Sequence, residues 1–141
     1  MAMQHTPLLM SKIIDRGAKV APNEEIVTAT ENGVQRQTYK ETRDRAHQLA
    51  HALSEAGIAV GDRVGTFMWN GSRHLEAYQA CAGMGAVLHT LNIRLSEKDL
   101  EYIINHAKDQ IIIVDADILP LLEKLEGKVP TVRQVVIATE E

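Results

Sequence analysis

From Arg63 onwards the chain alternates short apolar runs with segments of helical periodicity, and this alternation restricts the possible folds more than any other feature. The apolar runs at 63–69, 86–91, 110–114 and 132–138 are typical of buried strands, and helical patterns fill 72–84, 97–107 and 119–125 between them. A strand–helix–strand order favours parallel strands with helices packed on the sheet. The sequence therefore predicts a layered α/β fold, as an incomplete part of a larger α/β domain.

The residues before this alternation predict a helix and a β-hairpin. An apolar stripe at 8–14 indicates a first helix that begins near Pro7 and ends at Gly17. Two β-prone runs, 26–30 and 34–39, flank the step Asn32-Gly33. Because both of these residues tolerate positive φ, the step predicts the hairpin turn.

A second helix is predicted over 40–56, directly after the hairpin. Thr38 and Glu41 have the spacing of a capping box at its start, and Gly57 follows its last residue. We therefore expect an N-terminal hairpin and helix ahead of the alternating strands and helices.

Size and composition exclude several classes of protein. The 141 residues suit one globular domain, carry a net charge of −4, and contain no apolar run close to the ~20 residues of a membrane span. The first residues lack the features of a signal peptide, and the single cysteine, Cys81, excludes an internal disulfide framework. Basic residues are spread along the chain, which argues against nucleic-acid binding. We expect a cytoplasmic protein without a transmembrane segment.

Glycines and histidines offer few cofactor or metal sites. Gly83 and Gly85 follow a helix and precede a strand, the reverse of a dinucleotide motif, so they predict a helix end with close packing. His47 and His51 have the spacing of two metal ligands, but no third ligand is evident and we interpret both as solvent-exposed. His106 is expected to interact with the end of its own helix.

The candidate site follows the 86–91 strand. His89, Thr90, Asn92 and Arg94 offer four polar groups at the carboxyl end of a predicted parallel strand, where open α/β sheets bind ligands. For each residue alone, loop hydrogen bonding or a local ion pair explains the pattern as well. No residue is predicted to be catalytic or to bind a metal.

Polar residues also follow two other strands. The turn at 69–72 before a predicted helix is interpreted as N-capping. Asp115 and Asp117 fit either a ribose contact or the cap of a helix near Ile118.

The order of these pieces resembles the N-terminal part of the adenylate-forming, AMP-binding superfamily, and particularly its fatty-acyl-CoA synthetases, from about Leu8 to Ile137. The residues that carry the resemblance are QTY at 37–39 with Glu41, VGDRV at 60–64, HLEAY at 74–78, GMGAVLHTLN at 83–92 with Arg94, and Val114-Asp115.

The resemblance implies a ligase that activates a carboxylic acid with Mg-ATP to an acyl-adenylate and transfers the acyl group to coenzyme A. The family's phosphate loop, aromatic-Gly-x-Thr-Glu motif, ribose-binding aspartate and C-terminal lysine are absent from this sequence. We therefore expect residues 1–141 to be the N-terminal portion of the large AMP-binding domain, inactive alone and binding none of ATP, Mg and CoA. By the same resemblance, His89 to Arg94 would line or support the acyl or pantetheine channel.

Partners follow from the same resemblance. They are a carboxylic acid, most suitably a medium- or long-chain fatty acid, the rest of the ligase chain, and a second copy in a homodimer. The apolar stripe at 8–14 fits a contact with another subunit or domain, and packing on its own domain explains it equally well. The alternative is a stand-alone α/β module for dimerisation or small-ligand binding, derived from such a ligase. A fragment should expose a large apolar patch and self-associate, whereas a module should have polar residues over every face that would otherwise meet the missing subdomain.

Overall fold

The computed structural model describes residues 7–30 and 33–139 and shows a β-hairpin beside a four-stranded parallel sheet. The elements in chain order are α1 (Ser11–Val20), β1 (Glu25–Thr30), β2 (Gly33–Thr38), α2 (Tyr39–Glu55), β3 (Arg63–Phe67), α3 (Ser72–Met84), β4 (Val87–Thr90), α4 (Glu97–Ala107), β5 (Ile111–Asp115), a 3-10 turn (Ala116–Ile118), α5 (Leu119–Glu123) and β6 (Gln134–Ala138). The strand order in the sheet is β4-β3-β5-β6, and all three neighbouring pairs are parallel. The predicted α/β fold with its N-terminal hairpin is confirmed.

Strand β5 forms the centre of both hydrophobic cores. Its residues alternate between the two faces: Ile111 and Ile113 pack with α2 and α3, while Ile112 and Val114 pack with α4 and α5. All four side chains are buried. The uninterrupted apolar run at 110–114 therefore reflects a strand that is covered on both faces.

Two sequence expectations about the N-terminal region need correction. Helix α1 does not end at Gly17 but continues to Val20. Gly17 is instead a packing position, since a Cβ there would lie 3.1 Å from the Tyr39 ring. In the hairpin, Thr30 pairs with Gly33, so Gly33 is the first residue of β2. The predicted turn residue Asn32 lies outside the described residues.

Polar contacts hold the hairpin against α2 and α3. The buried Glu76 carboxylate of α3 accepts hydrogen bonds from Gln37 of β2 (2.7 Å) and Arg45 of α2 (2.7 Å). The Thr28 hydroxyl of β1 accepts the Ser72 backbone N–H at 3.1 Å. These contacts place β1 over the start of α3, beside the carboxyl end of β3.

No helix in the ranges 7–30 and 33–139 combines the length and the apolar character that crossing a membrane requires.

Candidate functional site

A cavity of about 540 Å³ opens at the carboxyl ends of β3 and β5, with the hairpin forming its opposite wall. Its lining comes from β1 and β2 (Thr28, Ala29, Thr30, Gln35), from the β3–α3 connection (Met68, Trp69, Asn70, Gly71, Ser72, Arg73, His74), and from the region of β5 and β6 (Asp115, Ala116, Asp117, Ala138). This is the edge at which parallel α/β sheets bind ligands.

The two aspartates of the cavity hold Trp69. The Asp115 carboxylate accepts the Trp69 backbone N–H at 2.7 Å, and the Asp117 carboxylate accepts the indole N–H at 2.8 Å. Asp115 stands at the N-cap position of the 3-10 turn without a capping hydrogen bond from its side chain, so the capping interpretation is wrong for this residue. Burial raises the pKa of the Asp115 carboxyl, and the Trp69 N–H opposes that shift.

The start of α3 is held by the hairpin. Gly71 is the N-cap residue and brings no capping side chain, so the N-capping interpretation of the turn at 69–72 is wrong as stated. The Ser72 N–H is instead bound by Thr28, which is 44 positions away in the sequence. A contact between residues so far apart leaves no signal in local spacing.

His74 lies at the inner wall of the cavity. Its Nε2 is 3.0 Å from the Thr66 hydroxyl, and its ring centroid lies 5.1 Å from that of Tyr78. Burial lowers the pKa of the imidazole, which disfavours the charged form, although Asp115 acts in the opposite direction. His74 therefore supplies shape and a hydrogen bond at this wall.

The structure disperses the four residues predicted as a site after β4. His89 Nδ1 lies 2.8 Å from the fully buried Asp109 carboxylate, and Thr90 pairs with Thr66 in the parallel ladder. Asn92 accepts the Arg94 backbone N–H at 3.0 Å. In the described part of the chain, none of the four lines the cavity. Their proposed role at a channel remains a prediction.

Sequence reasoning missed Asp109 and Trp69. Asp109 was discoverable as a charged residue directly before the apolar run 110–114, and Trp69, the only tryptophan, stands at the end of a strand. The hydrogen-bond partner of each residue could not be predicted from local spacing. His89 and Asp109 are 20 residues apart in the sequence, and Trp69 and Asp117 are 48 apart.

His47, His51 and Gly85 have the structural roles expected of them, whereas the ring of His106 stacks on that of Tyr102, with the centroids 5.6 Å apart. The side chains of His47 and His51 are exposed, 3.6 Å from Asp15 and 3.4 Å from Glu55 respectively. Gly85 is the left-handed C-cap of α3, as predicted for this glycine cluster. Across residues 7–30 and 33–139, no three His, Cys, Asp or Glu side chains form a group that could hold a metal ion.

Gly83 and Gly85 lie at the end of α3, so they do not form a phosphate cradle at a helix start. Asp115 and Asp117 each accept one N–H of Trp69. The described residues therefore show no group that fits the phosphates of ATP or a magnesium ion by itself.

A parallel sheet covered by helices on both faces, with a cavity at the carboxyl ends of its strands, defines an α/β ligand-binding architecture. The family model for AMP-binding enzymes matches residues 14–141. The chain therefore belongs to the AMP-binding enzyme family, as its sequence resemblance implied.

Similar proteins cover nearly the whole chain. It is 43% identical over 140 residues to a long-chain-fatty-acid–CoA ligase of Thermus thermophilus, covering 99% of this chain and 26% of that protein. It is 41% identical over 136 residues to a 3-methylmercaptopropionyl-CoA ligase of Ruegeria pomeroyi, covering 96% and 25%. A solved fatty acyl CoA synthetase of Mycobacterium tuberculosis has the same fold, with a TM-score of 0.83 at 24% identity, covering 91% of this chain and 26% of that one. The chain thus spans about a quarter of the length of these relatives.

Proposed function

We propose that residues 1–141 form the N-terminal portion of the large domain of an AMP-forming acid–CoA ligase. In that reaction a carboxylate attacks the α-phosphate of ATP to give an acyl-adenylate and pyrophosphate, and the CoA thiol then displaces AMP to give the thioester. The observation that carries the proposal is 43% identity to a fatty-acid–CoA ligase across 99% of this chain.

The proposed substrate is a medium- or long-chain fatty acid. Support comes from the run GMGAVLHTLN at 83–92, which resembles the fatty-acid branch of the family, and from the Thermus thermophilus relative. The 3-methylmercaptopropionyl-CoA ligase of Ruegeria pomeroyi is almost as similar to this chain. The experiment therefore compares a fatty acid with this short thioether acid as substrates.

Within that ligase, this chain is proposed to be a scaffold without catalytic residues. Its cavity carries Arg73 beside the two carboxylates that accept the N–H groups of Trp69, and burial disfavours the charged form of His74, so the lining offers little net positive charge for a reacting phosphate. The cationic groups and the metal that such chemistry needs would come from the rest of the ligase chain. The loop after β4, with Asn92 and Arg94, is proposed to support the acyl or pantetheine channel.

The test is acid-dependent exchange of labelled pyrophosphate into ATP, measured on the full protein that carries this chain. We expect exchange with dodecanoate or palmitate well above that with 3-methylmercaptopropionate, and release of AMP only after CoA is added. Residues 1–141 alone should give no exchange above a reaction without acid. Absence of exchange with every acid by the full protein, or exchange by residues 1–141 alone, would contradict the proposal.

A further inference from the structure

Helix α1 has an apolar face that is largely open in the part of the chain that the structure describes. Met10, Ile13 and Val20 are 57%, 63% and 62% exposed. Their spacing of three and seven residues places them along one side of the helix, and we call them the apolar row. Leu9, just before the helix, is exposed as well. Packing on this domain therefore leaves most of the apolar stripe at 8–14 open.

Another side of α1 rests on α2 and α3. Ala18 is buried on that side, and a Cβ at Gly17 would lie 3.1 Å from the ring of Tyr39 in α2. A Cβ at Gly83 of α3 would lie 3.9 Å from the side chain of Ser11. These close contacts fix the rotation of α1 about its axis, so the apolar row is held outward.

A row of basic side chains runs beside the apolar row. Lys12, Arg16 and Lys19 are exposed, and their spacing of four and three residues places them on one side of α1. Arg16 lies three residues after Ile13, which makes the two side chains neighbours on the helix surface. The basic row and the apolar row therefore share one exposed surface.

The positive charge is local to this surface. The basic row has three charges and α1 has one acidic residue, Asp15, while the chain as a whole has a net charge of −4. The hairpin also exposes apolar side chains, Val27 and Val34, but these lie beside the ion pair of Arg36 and Glu25, which has no net charge. Apolar exposure and an excess of positive charge thus coincide on α1 and not on the hairpin.

We propose that α1 docks this protein on the surface of a bilayer that contains anionic lipid. An amphipathic helix lies in the plane of such a surface, with its apolar side chains among the acyl chains and its basic side chains at the phosphate groups. The apolar row and the basic row of α1 are arranged for these two layers. A two-fold contact between two copies would instead bring two positively charged helices together, which charge repulsion opposes.

Co-sedimentation of the full protein with lipid vesicles tests the docking. The assay contains no acid, ATP or CoA, so its result is independent of the proposed activity. We expect the protein to partition roughly tenfold more strongly onto vesicles of phosphatidylglycerol and phosphatidylcholine in equal amounts than onto phosphatidylcholine alone. Raising the salt from about 0.1 M to about 1 M should remove most of this difference, because salt screens exposed charges.

Two double variants separate the contributions of the rows. Met10→Ser with Ile13→Ser should weaken partition onto the anionic vesicles about tenfold, because less apolar surface enters the bilayer. Lys12→Gln with Lys19→Gln should reduce the preference for anionic vesicles to about twofold. Val27→Ser with Val34→Ser removes apolar surface from the hairpin and is the matched control, which should bind as the parent does.

Three results would overturn the proposal. The first is a full protein that stays off both kinds of vesicle, and the second is equal binding to both. The third is an equal loss of binding in the α1 serine variant and the hairpin control. If the protein stays off the vesicles and the α1 serine variant changes from dimer to monomer in sedimentation velocity, the apolar row belongs to a contact between two copies instead.

Discussion

Gly65 shows how one missing side chain supports both the packing and the polar contact of the sheet. We predict that Gly65→Ala lowers the free energy of unfolding by about 1–3 kcal/mol, because the added methyl meets two fully buried neighbours, Ile112 and Asp109, that have no space to withdraw. Urea denaturation of the purified variant measures this change.

Gly83 provides the matched control for that substitution. It lies inside α3, and among residues 7–30 and 33–139 a Cβ there would meet just the Ser11 side chain at 3.9 Å, which is ordinary contact. Gly83→Ala should stabilise the protein by roughly 0.5–1 kcal/mol, because alanine favours a helix over glycine. If both substitutions destabilised the protein equally, the loss at Gly65 could not be attributed to its close contacts with Ile112 and Asp109.

Individual residues were predictable from the sequence where their role is local. The capping box of Thr38 and Glu41 and the left-handed Gly85 depend on neighbours a few residues away, and the structure confirms both. The partners of Asp109 and Trp69 depend on how strands pair, so they became visible only in the assembled sheet.

At the scale of elements, a capping box stabilises the first turn of α2. The Thr38 hydroxyl accepts the Glu41 backbone N–H, and the Glu41 carboxylate accepts the Thr38 N–H in return. We predict that Thr38→Ala costs about 1 kcal/mol of stability, since two backbone donors at the helix start lose their arrangement. Thr38→Ser keeps the hydroxyl and should retain most of the stability that the cap contributes. Thermal unfolding of both variants measures the difference. A Thr38→Ala protein as stable as the parent would refute the capping argument.

The predicted element boundaries were wrong where a residue with a local helix-end signal serves tertiary packing instead. Gly17 has the sequence position of a helix end, yet α1 continues to Val20, and the glycine instead makes room for the Tyr39 ring at the junction with α2. Strand β5 was easier to predict, because the uninterrupted apolar run at 110–114 is buried whatever the exact boundary.

At the scale of the whole molecule, apolar side chains remain exposed on several elements, among them α1 and β6. Leu9, Met10 and Ile13 are exposed at the start of α1, and Val135 and Ile137 are exposed on β6. Strand β6 is also an edge of the sheet, so its outer backbone groups are available for pairing with another chain. Both features favour the reading of this chain as part of a larger ligase over the stand-alone module.

We predict that residues 1–141, expressed alone, self-associate through β6. Sedimentation velocity should show a mean mass that rises with concentration, and Val135→Lys with Ile137→Lys should shift the sample toward monomer, because lysines on an edge strand oppose pairing between chains. Val27→Lys with Val34→Lys adds the same charge to exposed positions on the hairpin and should leave the association unchanged. A well-folded parent chain that stays monomeric at every concentration would instead favour the stand-alone module, since a fragment cannot cover this edge by itself.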